Sequence, residues 1–259
     1  MSKKVILAFS GGLDTSFCVP YLIDQGYEVH TLFVNTGGIS AKEELAITKR
    51  ANELGAKKHI NLNVKKSLWS EILIPLIQSG ALYQNKYPAL CSDRYLIVKE
   101  SIKLCKKLNT NNVAHGCTGM GNDQIRFDLS IRAHGKYNII TPIREIQNIT
   151  KNVRAYEEDY LRDKGFKVSS LNKKYSINEN LMGATISGSE IDEWKEPSSE
   201  SFVLCKLPHQ YPKKSKTLKI KFLKGKVISI NDKKMQGADF LRTLNNLGGS
   251  FGIGRSVFS

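Results

Sequence analysis

A glycine-rich loop set between an apolar strand and an apolar helix constrains this chain more than any other feature. Val5–Phe9 is a continuous apolar run, the pattern of a parallel strand buried on both faces. Ser10-Gly11-Gly12-Leu13-Asp14-Thr15-Ser16 follows at once, and Phe17 to Leu22 then continues as an apolar-periodic stretch. Adjacent glycines let the backbone turn sharply and approach an oxyanion closely. Successive N–H groups and the positive end of the helix dipole cradle such an anion, with Ser10, Thr15 and Ser16 adding hydroxyl donors. Asp14 beside a phosphate would be repulsive without a cation, so it is read as a Mg2+ contact. No Walker A pattern (GxxxxGK followed by Ser or Thr) competes for the phosphate.

The remaining apolar runs extend this beginning into an α/β fold. Val29–Val34, His59–Val64, Asn112–His115 and Tyr137–Ile143 read as further strands. Ala41–Leu54 carries apolar residues at helical spacing and stops at Gly55; Leu68–Leu76 and Tyr95–Leu108 also read as helices. Strand–helix alternation implies right-handed crossovers and a parallel sheet with helices on both faces. The pattern changes after about Leu171. Leu218–Leu223 and Lys226–Ile230 alternate around Lys224-Gly225, a hairpin signature in which Ile220 and Phe222 point inward. Phe240–Leu247 is a short helix ending at Gly248-Gly249. The expected division is 1–168 for the nucleotide-type domain and 169–259 for a smaller α+β domain.

Composition narrows the function classes. With 41% hydrophobic and 24% charged residues in 259, the chain reads as globular rather than disordered or fibrous. No apolar run approaches the roughly 20 residues that cross a bilayer, and the apolar part of the N-terminus is too short for a signal peptide. Five scattered cysteines without CxxC or zinc spacing fit reduced thiols in a cytoplasmic protein. The net charge of +15 suits anionic partners such as nucleotides, acidic metabolites or nucleic acid; a solvated, lysine-rich surface explains it equally well.

A second constellation, His115-Gly-Cys-Thr-Gly-Met-Gly-Asn-Asp-Gln-Ile-Arg-Phe127, follows another strand. Gly116, Gly119 and Gly121 bring backbone close to a ligand. Thr118, Asn122, Asp123, Gln124 and Arg126 are groups that fix an amino acid's ammonium and carboxylate, Arg126 offering the planar fork a carboxylate fits. The same residues also suit a polar loop in which Asn122 or Asp123 caps a helix and Arg126 joins a surface pair. His115 is read first as a hydrogen-bonded structural residue, and Trp69, Trp194 and Cys117 as packing residues. The Tyr156–Arg162 stretch is read as a charged helix face.

Ser-Gly-Gly-x-Asp followed by Thr resembles the PP-loop of the ATP pyrophosphatases. The wider pattern resembles the argininosuccinate synthase family, through Ala8–Ser16, Ile77–Tyr83, Tyr87 to Ser92, residues 115–127, Tyr175–Leu181 and Gly248–Arg255. That resemblance implies an adenine nucleotide alpha hydrolase-like fold and an ATP-dependent ligase that condenses citrulline with aspartate, yielding argininosuccinate, AMP and pyrophosphate through a citrullyl-adenylate. It implies that Ala8, Phe9, Ser10, Gly11, Gly12, Leu13, Asp14, Thr15, Ser16, Val34, His115 and Gly116 hold ATP, with Mg2+ near Asp14. Thr118, Asn122 and Asp123 would face aspartate. Tyr87, Ser92, Asn122, Arg126, Ser176 and Thr185 would face citrulline. No covalent nucleophile is needed. The implied partners are these small molecules and further copies of the chain, with neither membrane nor nucleic acid.

Departures from the family pattern cluster around the amino acids. Leu90-Cys91 replace Gly-Thr, Asp93-Arg94-Tyr95-Leu96 replace Leu-Ala-Arg-Pro, and Met120 replaces a lysine. Asn178 replaces an aspartate and Thr185 a serine. Family members also run on beyond the segment matching Gly252–Arg255, to a glutamate and a tyrosine for citrulline and a helix for tetramer assembly. The expectation is therefore of a shortened second domain. Three other readings stand beside the ligase: a shortened, non-catalytic nucleotide-binding family member, an adenylating ligase with a different acceptor, and a tRNA-modifying PP-loop enzyme.

Overall fold

The computed structural model describes residues 3–82, 85, 90–168, 174–193 and 195–257. In chain order, β1 (Lys3–Ala8) leads to α1 (Leu13–Asp24), β2 (Tyr27–Asn35), α2 (Ala41–Glu53) and β3 (Lys58–Asn63). A short α3 (Lys65–Ser67) continues through a π-helical turn, Leu68–Leu73, into α4 (Ile74–Ser79). Then come α5 (Asp93–Leu108), β4 (Asn112–His115), α6 (Asn122–Ala133), β5 (Asn138–Ile140), α7 (Pro142–Gln147) and α8 (Val153–Asp163). The chain continues through β6 (Ser176–Asn180), β7 (Gly183–Ser187), β8 (Ile220–Leu223), β9 (Lys226–Ile230), β10 (Lys233–Lys234) and α9 (Gly237–Ser250).

These elements form two units. The first holds the described residues of 1–35, 40–63 and 93–171; the second holds those of 36–39, 64–92 and 172–259. The first unit is the expected α/β fold, a five-stranded parallel sheet in the order β3-β2-β1-β4-β5. Central strand β1 is apolar on both faces, so Val5, Leu7 and Phe9 join Phe17, Leu22, Leu54, Ile143 and Leu161 in one core cluster. Each such side chain contributes about 2 kcal/mol by leaving water. The expected strand over Tyr137–Ile143 stops at Ile140: Pro142, with no N–H to give a ladder and φ already helical, starts α7.

The second unit contains two small antiparallel sheets. One pairs β6 with β7; the other is β10-β9-β8, packed through Val227 and Ile230 against Phe240, Trp69 and Leu244. Lys224 and Gly225 both have positive φ, as the hairpin turn requires. Phe222, however, is 58% exposed rather than inward. A register irregularity between Lys221 and Phe222 interrupts the period-2 alternation from which its direction was read. Trp194 and Tyr87 lie outside the described residues.

Candidate active site

The order of the five strands reverses between β1 and β4, and Ala8 is the register partner of both Leu32 and His115. The chain therefore leaves these neighbouring strands side by side, at the topological switch point where parallel sheets bind ligands. The loop after β1 turns through Gly11, whose φ of +76° belongs to the left-handed region. The loop after β4 is pressed against it. A Cβ on Gly116 would lie 3.1 Å from Thr15 Cγ2 and 3.3 Å from the Thr15 amide nitrogen.

Both loops feed helices that begin on glycine. α1 follows Gly12 and α6 follows Gly121, and neither has a side-chain cap. By contrast, Ser40 and Glu43 form a capping box on α2, and Asn152 accepts from Ala155 to cap α8. An uncapped first turn leaves backbone N–H groups directed outward, which suits an anion. The cap reading of Asn122 and Asp123 is thereby set aside, since the capping position is Gly121.

Within the first loop, Ser10 Oγ and Thr15 Oγ1 lie 3.2 Å apart, and the Gly12 amide donates to Ser10 Oγ at 3.4 Å. Ser16 is buried and its hydroxyl accepts from Arg50 Nε at 3.3 Å, so its side chain is engaged with α2. Ala8, Phe9 and Val34 are buried where the strands run into the site. Asp14 sits on the first turn of α1; burial raises its carboxyl pKa, while its own N–H and the charge of Arg154 act the other way. Among the described residues, no three His, Cys, Asp or Glu side chains converge to hold a metal. One carboxylate beside a phosphate loop fits Mg2+ carried on a nucleotide, which keeps water and phosphate oxygens as its other ligands.

The second loop is held by side chains from two helices. His115 is 1% exposed and its Nε2 lies 3.0 Å from Asp128 Oδ1, while its Nδ1 accepts the Cys117 N–H at 3.3 Å. That acceptance leaves Nε2 as the proton-bearing nitrogen of a ring that burial keeps neutral. Arg144 donates to both Asp128 oxygens at 2.9 and 3.0 Å. Burial would raise the Asp128 carboxyl, but the hydrogen bonds from His115 and Arg144 hold it well below the usual range. Gln147 accepts from the Gly119 N–H at 2.8 Å, and Gln124 donates to the Gly119 carbonyl at 2.5 Å. Burial, then Asp123, push the Cys117 thiol up to about 12, which suits an inert packing residue.

Asp123 and Arg126 come together on α6, Arg126 donating to Asp123 Oδ1 at 2.6 Å. Thr118 lies in the loop just before them, and Met120 is exposed. Arg94 donates to Asp123 from the start of α5 at 3.0 and 3.1 Å, and its only mark in the sequence is a departure from the family pattern. Asp128, Arg144 and Gln147 were equally silent, because nothing in their spacing links them to residue 115 or 119.

Ser92, Ser176 and Thr185 belong to the second unit. Asn178 pairs with Thr185 and Ser176 with Ser187, so the antiparallel register puts all four on one face of the β6–β7 hairpin. Asn180 ties this hairpin to the turn before Ser92 by donating to the Leu90 carbonyl at 2.5 Å. The Ser92 hydroxyl is buried with no hydrogen-bond partner among the described residues.

Two family models match the chain. Residues 4–166 match the "Arginosuccinate synthase N-terminal HUP domain" and 175–257 the "Arginosuccinate synthase C-terminal domain". The chain belongs to the argininosuccinate synthase family. It is 47% identical over 258 residues to argininosuccinate synthase from Xanthomonas campestris pv. campestris, covering 100% of this chain and 65% of that protein. The Xylella fastidiosa argininosuccinate synthase is also 47% identical, with 100% and 64% coverage. The one from Hyperthermus butylicus is 38% identical, with 97% and 63% coverage. This family member thus spans somewhat under two-thirds of the length of the curated relatives it matches.

Proposed function

We propose that this chain is the ATP- and amino-acid-binding part of an argininosuccinate-forming ligase. The observation that carries the reading is the pair of glycine loops meeting at the switch point, with Gly116 against Thr15 and uncapped helices behind both. In this reading the backbone of residues 10–16 takes the ATP phosphates, and Ala8, Phe9, Val34, His115 and Gly116 shape the rest of the nucleotide pocket. Asp14 holds Mg2+, which neutralises phosphate charge when bound.

Thr118, Asn122 and Asp123 take aspartate, the Asp123 carboxylate meeting its ammonium group. Asn122 and Arg126 take citrulline, with Arg126 on its carboxylate. The citrulline ureido oxygen attacks the α-phosphorus of ATP and pyrophosphate leaves. The aspartate amine then attacks the ureido carbon and AMP leaves. The enzyme's share is orientation and charge neutralisation, not covalent attack. Self-association belongs to the same reading, and exposed Phe222 and Leu223 on edge strand β8 support it.

The test is release of AMP and pyrophosphate from Mg2+–ATP with citrulline and aspartate together and with each omitted. Release that requires both, with argininosuccinate formed, is the expected result. Binding of ATP without release in any combination would leave a nucleotide-binding family member and end the ligase reading.

A further inference from the structure

Four charged side chains alternate in sign where α5 and α6 begin. Arg94 Nη1 donates to Asp93 Oδ1 at 2.9 Å, and Arg94 Nε and Nη2 both reach Asp123 Oδ2, at 3.1 and 3.0 Å. Arg126 Nη1 closes the row on Asp123 Oδ1 at 2.6 Å. Asp93 is 2% exposed and the Arg94 side chain is nearly buried, while the Asp123 carboxylate keeps an open side. The row is neutral as a whole, which makes its burial tolerable.

We propose that Arg94 is a positioning residue of the amino-acid pocket: gripped by Asp93, it fixes the Asp123 carboxylate in the orientation that receives a substrate ammonium group. The reason is geometric. A carboxylate turns about its Cβ–Cγ bond unless both oxygens are held. Here one oxygen is held by a two-pronged guanidinium from a neighbouring helix and the other by Arg126, so three acceptor positions are filled and the open side is left for a cation. A lysine at 94 would keep the charge but offer no planar fork, so orientation would loosen while attraction persisted. These bonds join Arg94 to Asp93 and to Asp123, the carboxylate assigned to the amino acid, so the effect expected of Arg94 is on amino-acid binding. The identity of that amino acid, aspartate, rests on the proposed function.

Arg94→Met and Arg94→Lys would be made in the full chain. ATP would be titrated first, then aspartate in the presence of a non-hydrolysable ATP analogue, with KM and kcat measured under turnover. Arg94→Met is expected to weaken aspartate binding about tenfold or more, about 1.4 kcal/mol, with ATP affinity within about twofold of the parent. Arg94→Lys is expected to lie between, raising KM for aspartate more than it lowers kcat. Parent-like aspartate binding by Arg94→Met overturns the inference. If the methionine variant does not fold, the lysine variant decides: an aspartate-selective loss supports the inference, whereas equal losses for ATP and aspartate overturn it. A parent chain that binds ATP but no aspartate defeats the proposed function and takes this inference with it. Aspartate binding that is sound in the parent and indifferent to Arg94 defeats this inference alone.

Discussion

The two loops that meet at the end of the sheet are built by opposite means. The loop after β1 is local: a left-handed Gly11, a second glycine opening α1, and long hydrogen bonds among Ser10, Gly12 and Thr15. The loop after β4 is held from outside, by Asp128 and Gln124 on α6 and by Arg144 and Gln147 on α7. A loop of the first kind depends on which residues can adopt its backbone, and one of the second kind on charges far away in sequence. The two should therefore fail differently when altered.

The largest effect is expected at Gly11. A side chain there meets a positive φ and an Ile47 carbon at 3.0 Å. Gly11→Val should cost about 2–4 kcal/mol in stability and abolish nucleotide binding, read by urea unfolding and by ATP titration. Retained ATP affinity would break the picture of a backbone-built cradle.

Asp128→Asn tests the other loop. It removes the charge from two Arg144 bonds and from the His115 bond. A loss of about 2 kcal/mol is expected, with weaker ATP binding although residue 128 lies in neither loop. An unchanged ATP affinity would show that the lacing is dispensable.

Glu157 sharpens the comparison, because it is the long-range element behind the local loop. It is 1% exposed on α8, and burial, then the charge of Asp14, push its carboxyl up to about 8. The unfolded chain releases that proton at the ordinary value near 4.5. Between these values the folded state binds more protons, so stability falls as pH rises from about 4.5 to about 8, by at most about 1.4 kcal/mol per unit. Glu157→Gln should match the parent near pH 4 and exceed it at pH 8. Parallel urea midpoints across that range would refute the assignment.

Thr15→Val is the smallest change. Its hydroxyl contacts run at 3.2–3.4 Å, so the loss should stay within about 1 kcal/mol by thermal unfolding.

Legibility in the sequence followed the same division. All five parallel strands, the helix α2 and the hairpin turn at Lys224-Gly225 are legible, because apolar runs, caps and turn glycines act on their near neighbours. Pro142 lies inside the apolar run Tyr137–Ile143 yet begins α7, because the apolar residues on either side mask the break. The reading of Tyr156–Arg162 as a charged face missed Glu157, because a buried carboxylate looks in sequence like any other on a helix. Phe222 was misdirected by an irregular register that alternation alone does not reveal.

By itself, then, the sequence determined the parallel sheet, the phosphate-type loop and the kinship of the whole chain to one family, since each is written in contiguous residues. Only the tertiary structure decided which polar groups share a charge. His115 with Asp128 and Arg144, Arg94 with Asp123, and Glu157 near Asp14 are joined across 13 to 143 positions of chain. Such pairings are selected by burial and distance in the folded state, and no periodicity in the sequence records them.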